Sequence, residues 1–229
     1  MSPAAFPETA TNGPTARPEE GARKATRKPF TLCVFCGSSS GNSPQFETAA
    51  EDLAKVMHAQ GWSLVYGGGS RGLMGSLARS LVQLSGPRSV HGVIPRALIT
   101  TERGVDRPLE QEYGHTTLVS TMHERKAIMA KEADAFVALP GGYGTMEELF
   151  EAITWSQLGI HGRPVVLYNI RGFFDDLQRW VRTSAEVGFV SSPHLALFNV
   201  ANTMQELIEM VQLAPAAGRY SLCWSDHKL

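Results

Sequence analysis

The segment ALPGGYGTMEE, residues 138–148, gathers groups that could do chemistry on a phosphorylated substrate. Gly141, Gly142 and Gly144 let backbone N–H groups approach an anion closely, and a helix starting here adds unpaired donors and a partial positive charge. Together these make a phosphate seat. Two carboxylates, Glu147 and Glu148, follow in the next turn, where they would ordinarily repel a phosphate. Their presence implies a substrate with one anionic end and one centre that develops positive charge, and a nucleotide has both. Glu148 also has a purely structural reading, because TMEE has the spacing of a capping box in which Glu148 bonds back to the Thr145 backbone.

Two other glycine-rich turns and one basic pair are candidates to share this site. Gly37, Ser38, Ser39, Ser40 and Gly41 follow an apolar run, and so do Gly67, Gly68 and Gly69. Thr121 and Glu124 form a second capping box that opens a helix presenting Arg125 and Lys126, with His123 as a polar neighbour. Gly67, Gly69 and Gly72 satisfy G-x-G-x-x-G, but a dinucleotide site also needs an acidic residue at the end of the next strand. That strand, residues 89–94, ends on Pro95 with no acid, which argues against NAD. No G-x-x-x-x-G-K-[ST] occurs, so the usual warrant for a nucleoside triphosphatase is missing.

The elements that must position these residues follow from hydrophobic period and punctuation. Strands are expected at residues 31–36, 62–66, 89–94, 116–119, 134–139, 164–168 and 197–200. Between them, Ser43 caps a helix with Pro44 at its first position that runs to Gly61, and further helices follow residue 72, Thr121, the 141–144 turn and Phe173. A last helix runs from Thr203 to Leu213. In the helix after the 141–144 turn, Met146, Leu149, Phe150 and Ile153 are the expected buried stripe, leaving Glu147, Glu148 and Glu151 on other faces. Residues 96–114, with Glu102, Arg103, Asp106 and Arg107, read as an irregular surface loop or lid. Strands alternating with helices give an α/β fold: one domain with a doubly wound, Rossmann-like parallel sheet, helices on both faces, and ligands at the strand carboxyl ends. All three glycine turns and the Arg125 helix would then open on one edge.

Composition sets the outer limits. A chain of 229 residues holds one full α/β core plus tails. We expect residues 1–28, poor in bulky apolar side chains, to be a disordered tail, residues 29–213 the catalytic domain, and 214–229 a loosely held tail that Tyr220 and Trp224 could dock. A formal net charge of −1 gives no pull toward nucleic acid or an anionic membrane, and no apolar run approaches the ~18 residues of a membrane span or the core of a signal peptide, so a cytoplasmic location is expected. Three cysteines make no disulfide framework. Cys33 and Cys36 form a C-x-x-C, but inside a strand residues three apart face opposite sides, so buried structural thiols are expected rather than zinc.

The P-G-G-x-G-T-x-x-E pattern of residues 140–148 resembles the signature of the LOG (Lonely Guy) family, the cytokinin riboside 5′-monophosphate phosphoribohydrolases, often named lysine decarboxylases. The resemblance extends to CGSS at 36–39, YGGG at 66–69, GLMG at 72–75, MHERK at 122–126 and ITW at 153–155, and covers roughly residues 30–213. It implies hydrolysis of the N-glycosidic bond of N6-modified adenosine monophosphate to free base and ribose 5-phosphate, with no metal and no cofactor, in a homodimer or larger dimer-based assembly. By motif position, Arg125 and Glu148 resemble the catalytic pair. Residues Gly141, Gly142, Tyr143, Gly144 and Thr145 would hold the phosphate and Glu147 the ribose, while Glu102, Met122, Lys126 and Thr154 would line the pocket, with the turns of Gly37, Ser38, Ser39, Gly67, Gly68 and Gly69 also on the substrate side. The runner-up is a nucleotide-like cofactor carrier of the molybdenum-cofactor type, without turnover. A decarboxylase, the third reading, would need a pyridoxal phosphate lysine, and the absence of an absorbing cofactor would dispose of it.

Overall fold

The strands of this chain are short, and in the computed structural model the seven of them pair into one parallel sheet in the order β4-β3-β2-β1-β5-β6-β7. The structure describes Met1, residues 28–103 and residues 109–213. The expected tails, including Tyr220 and Trp224, therefore lie outside the described residues, as do Asp106, Arg107 and the side chains of Glu102 and Arg103. The strands are β1 (Thr31–Phe35), β2 (Ser63–Tyr66), β3 (Val90–Pro95), β4 (His115–Val119), β5 (Ala135–Ala138), β6 (Val165–Tyr168) and β7 (Asn199–Ala201). The principal helices are α1 (Pro44–Gln60), α2 (Gly72–Ser85), α3 (Ile99–Arg103), α4 (Glu110–Tyr113), α5 (Met122–Glu132), α6 (Tyr143–Gln157), α7 (Asp175–Glu186) and α8 (Met204–Val211).

The chain walks outward from β1 to β4, then returns to β5 on the other side of β1 and walks out to β7. That reversal puts the switch point of the sheet between β1 and β5, where Leu32 to Phe35 pair with Ala135 to Ala138. A doubly wound sheet takes ligands in the crevice above such a point. Side chains alternate as the pleat requires. Leu32 and Val34 join one core with Leu53 and Met57 of α1 and Leu77 of α2. Cys33 and Phe35 join the other with Met129 of α5 and Leu149 of α6.

Several punctuation residues act as their chemistry dictates. Ser43 accepts from the Gln45 N–H at the start of α1, and Gly61 ends that helix in the left-handed region at φ 67°. Thr203 and Glu206 form a reciprocal capping box at α8. Cys33 and Cys36 are both buried, in the two separate cores, and burial pushes both thiols up. They are packing groups, as their strand position indicates.

Residues 96–114 differ from the irregular loop expected. Residues 96–98 form a 3₁₀ turn, and α3 and α4 are short helices. Tyr113 anchors α4: it is 5% exposed, its hydroxyl accepts from Arg79 Nη2 at 2.8 Å, and its carbonyl accepts from the Tyr66 hydroxyl at 3.3 Å. The polar composition concealed one buried aromatic.

His161, between α6 and β6, ties the site-bearing helix to the sheet. Its Nε2 lies 2.9 Å from the Ala152 carbonyl, its Nδ1 accepts from the Arg163 N–H at 3.1 Å, and its ring packs on Phe136. These contacts suit the neutral imidazole. Burial lowers the pKa from 6.5 to about 4, and Arg163 adds to the effect against the Ala152 bond. Between those values the unfolded chain binds the extra proton, so stability present above pH 6.5 is lost as the pH falls toward 4. We expect the melting temperature to drop across that window and His161→Gln, which can keep both hydrogen bonds, to flatten the drop. An unchanged slope in a calorimetric pH series would refute this role.

Candidate active site

α5 and α6 start beside each other above the carboxyl ends of β1, β2 and β5, and their first turns carry the charged residues. Thr121 caps α5 by accepting from the Glu124 N–H at 3.1 Å, while Glu124 accepts from the Ser120 N–H at 2.9 Å rather than from that of Thr121. The box is shifted by one donor, yet it still locks the first turn and sets the direction of Met122, Arg125 and Lys126.

Arg125 is buried, 5% exposed, and its Nη2 stands 3.3 Å from Glu148 Oε1 and 3.3 Å from the Gly67 carbonyl, to which it donates. Nη1 donates to the Met122 sulfur at 3.6 Å, and Nε has no hydrogen-bond partner among the described residues. Glu148 is 8% exposed. α6 has Gly142 as its N-cap and Tyr143 as its first residue, so Thr145 is already inside the helix and caps nothing. The capping-box reading of Glu148 is thereby removed: the helix starts three residues too early for it. The buried stripe of α6 is also rotated from the one expected, to Thr145, Glu148, Leu149, Ala152 and Ser156. Met146 and Ile153 are partly buried, and Phe150 meets Trp180 edge to face. Polarity misleads here because the acid is turned inward to meet a buried cation.

A second ionic rung runs beside the first. Lys126 pairs with Glu147 and, at 3.0 Å, with Glu151. Burial works against the ammonium, but hydrogen bonds from Glu147 and Glu151 outweigh it and raise the Lys126 pKa.

The β1 and β5 loops meet over the switch point. Gly37 donates its N–H to the Pro140 carbonyl at 3.0 Å, and a Cβ on Gly37 would lie 3.3 Å from Gly141 Cα. A Cβ on Gly141 would collide with the Thr145 hydroxyl, which is buried. Gly142 and Gly144 are different: nothing lies within 4 Å of a Cβ on either.

An open cleft of ≈ 550 Å³ lies between these parts. It brings together Arg125, Glu148 and Met122 with Gly37 and Ser38 on one side and residues 142–145 on the other. Tyr143 stands at its rim, 97% exposed. Cys36 and Met74 also line it. Sequence reasoning placed Cys36 in the core and quoted Met74 only within GLMG; Met74 is held there by its N–H bond to the Gly37 carbonyl.

Other expected residues fall elsewhere. Ser39 and Gly141 line an adjoining crevice of ≈ 410 Å³ with Phe46 and Phe173. Gly67, Gly68 and Gly69 are buried outside the cleft lining, with Gly67 touching Arg125. Lys126 lines a small apolar pocket behind Glu148, beside Trp155. Thr154 is exposed, beyond the cleft. Among the described residues no three His, Cys, Asp or Glu side chains stand together as a metal site, and no helix is long and apolar enough to cross a membrane.

Residues 74–211 match the family model described as "Possible lysine decarboxylase". The chain is 48% identical over 180 residues to a "Probable cytokinin riboside 5′-monophosphate phosphoribohydrolase" of Oryza sativa subsp. japonica, covering 79% of this chain and 82% of that one. It is 44% identical over 202 residues to a protein of the same description from Arabidopsis thaliana, covering 86% and 97%. A "Bifunctional cytokinin biosynthesis protein" of Fusarium pseudograminearum is 44% identical over 203 residues, 84% of this chain, and this chain spans 42% of that protein's length. Among solved structures, the molybdenum cofactor carrier protein of Chlamydomonas reinhardtii superposes with a TM-score of 0.59 at 22% identity, covering 81% of this chain and 97% of that one. That likeness is one of fold.

Proposed function

We propose, from the premise that the chain belongs to the LOG family of cytokinin riboside 5′-monophosphate phosphoribohydrolases, that it hydrolyses the N-glycosidic bond of N6-modified adenosine 5′-monophosphates, releasing free base and ribose 5-phosphate. The observation that carries this reading is the buried Arg125–Glu148 pair at 3.3 Å on the wall of a cleft whose other wall is a glycine-rich helix start.

The chemistry follows from the arrangement. The phosphate takes the N-terminus of α6, where the first-turn amides and the helix dipole favour an anion. Gly142 and Gly144 support this because nothing lies within 4 Å of a Cβ on either, so a ligand has room to approach both backbones. The ribose then lies over Glu148. As the C1′–N9 bond breaks, its electron pair leaves with the base and positive charge builds on the ribose, which the Glu148 carboxylate stabilises. A water oriented by the same carboxylate adds its oxygen to C1′, and its proton balances the base that departs. Arg125 fixes the carboxylate and lines the cleft beside it. Glu147, which pairs with Lys126, would take the ribose hydroxyls. We take the working form to be a homodimer or dimer-based assembly. The exposed Tyr143, Trp180 and Phe189 side chains support that reading. The carrier alternative has only the fold likeness behind it.

If the α6 terminus seats the phosphate, removing that group should be costly. N6-isopentenyladenosine, the same substrate without its phosphate, should show kcat/KM lower by ~10² or more than the 5′-monophosphate, since remote binding energy is used at the reacting centre. Equal rates on nucleoside and nucleotide, followed by base release, would contradict this placement.

A further inference from the structure

We propose that Gly67 is a positioning residue for Arg125, acting through the guanidinium rather than on substrate. This rests on the functional reading above. Gly67 ends the run from β2, and two features of it bear on Arg125. Its carbonyl accepts from Nη2 at 3.3 Å, on the same nitrogen that meets Glu148. Its missing side chain makes the room: a Cβ built on Gly67 would collide with Nη2 and lie 3.1 Å from Cζ.

A glycine can be required for its backbone or for its size, and here the two separate. Gly67 is not among the glycines with positive φ, so alanine fits the backbone there. The atoms nearest that Cβ belong to side chains, those of Arg125 and, at 3.4 Å, Met74. At Gly72 or Gly75 the collisions are with backbone of the Ser38–Ser39 turn or of Ser70. Those glycines hold the fold; Gly67 holds a side chain.

Arg125 needs such a holder. A buried guanidinium carries five N–H donors, and its described contacts are Glu148, the Gly67 carbonyl and a sulfur, with Nε unpartnered among the described residues. A carbonyl is a neutral acceptor, so it orients the cation without competing with Glu148 for charge. The flat fork is pinned at Nη2 from two sides, and that fixes where Arg125 stands in the cleft wall.

The test is a double-mutant cycle of Gly67→Ala, Arg125→Ala and both, measuring kcat and KM on N6-isopentenyl-AMP and the melting temperature of each. Gly67→Ala should lower kcat by ~10-fold or more with KM changed less than about 3-fold, and should cost nothing further in the Arg125→Ala background. Losses that multiply, a rise in KM with kcat unchanged, or full activity in Gly67→Ala would overturn the assignment. If Gly67→Ala alone fails to fold, the double variant should be as stable as Arg125→Ala alone, because the colliding side chain is gone; a double variant markedly less stable than Arg125→Ala refutes the proposal. Should the wild-type protein release no base, the functional reading fails by itself. The melting-temperature cycle then decides: non-additive shifts support the contact, and additive shifts overturn it.

Discussion

Glu148→Gln will bind nucleotide almost as well as the wild-type protein and turn it over ~10² or more times slower, the pattern of a group whose charge acts in the transition state. The substitution keeps the shape of the side chain and an oxygen that can accept from Arg125 Nη2, now 3.3 Å away. What it removes is the negative charge that the proposed mechanism sets under the ribose. On that reading ground-state binding rests on the α6 terminus, which the change does not touch. In a buried site the charge is worth far more than in water, because little solvent screens it: the two side chains are 6% and 9% exposed. A variant with near-normal turnover would reduce Glu148 to a structural partner of Arg125. Titration calorimetry with AMP beside single-turnover kinetics separates the two readings.

Arg125→Ala will be damaging twice over. Activity should fall by ~10² or more, since both the orientation of Glu148 and the cation beside it in the cleft wall are lost. Stability should fall as well. Removing one partner of a buried ion pair leaves the other charge uncompensated, at a typical cost of about 3–5 kcal/mol. The Gly67 carbonyl also loses its donor. Urea unfolding should therefore show a lower midpoint with little change in slope, because the surface exposed on unfolding is nearly the same. Arg125→Ala with wild-type stability would mean that the pair is not buried in solution. The second rung makes a useful contrast. Glu147 is half exposed, so breaking its pair with Lys126 should cost far less.

Much of this molecule was legible before its coordinates. The strands, the caps at Ser43 and Thr203, and the end of α1 at Gly61 follow from local chemistry, and local chemistry is what a sequence displays. The opposed burial of Cys33 and Cys36 followed from the pleat alone. The errors have a shared cause in tertiary contacts. Glu148 was placed on an outer face of α6 because carboxylates usually face water, and only the approach of α5 shows that this one is turned in toward Arg125. The capping box at Thr145 fits the spacing, but α6 begins at Tyr143 with Gly142 as its N-cap. α4 looked like loop because Tyr113, the residue that pins it, is one aromatic among charges. Gly67 was grouped with the glycines expected around substrate, and its distinct place beneath a guanidinium shows only in three dimensions.

The most direct test of the account is to incubate the purified protein with N6-isopentenyl-AMP and, separately, AMP, with a chelator present, and to follow free base and ribose 5-phosphate by chromatography. The account predicts equal amounts of base and ribose 5-phosphate from the N6-modified nucleotide, and none with Glu148→Gln over the same interval. Intact nucleotide after prolonged incubation, with binding confirmed by calorimetry, would contradict it and leave a protein that holds its ligand without turning it over.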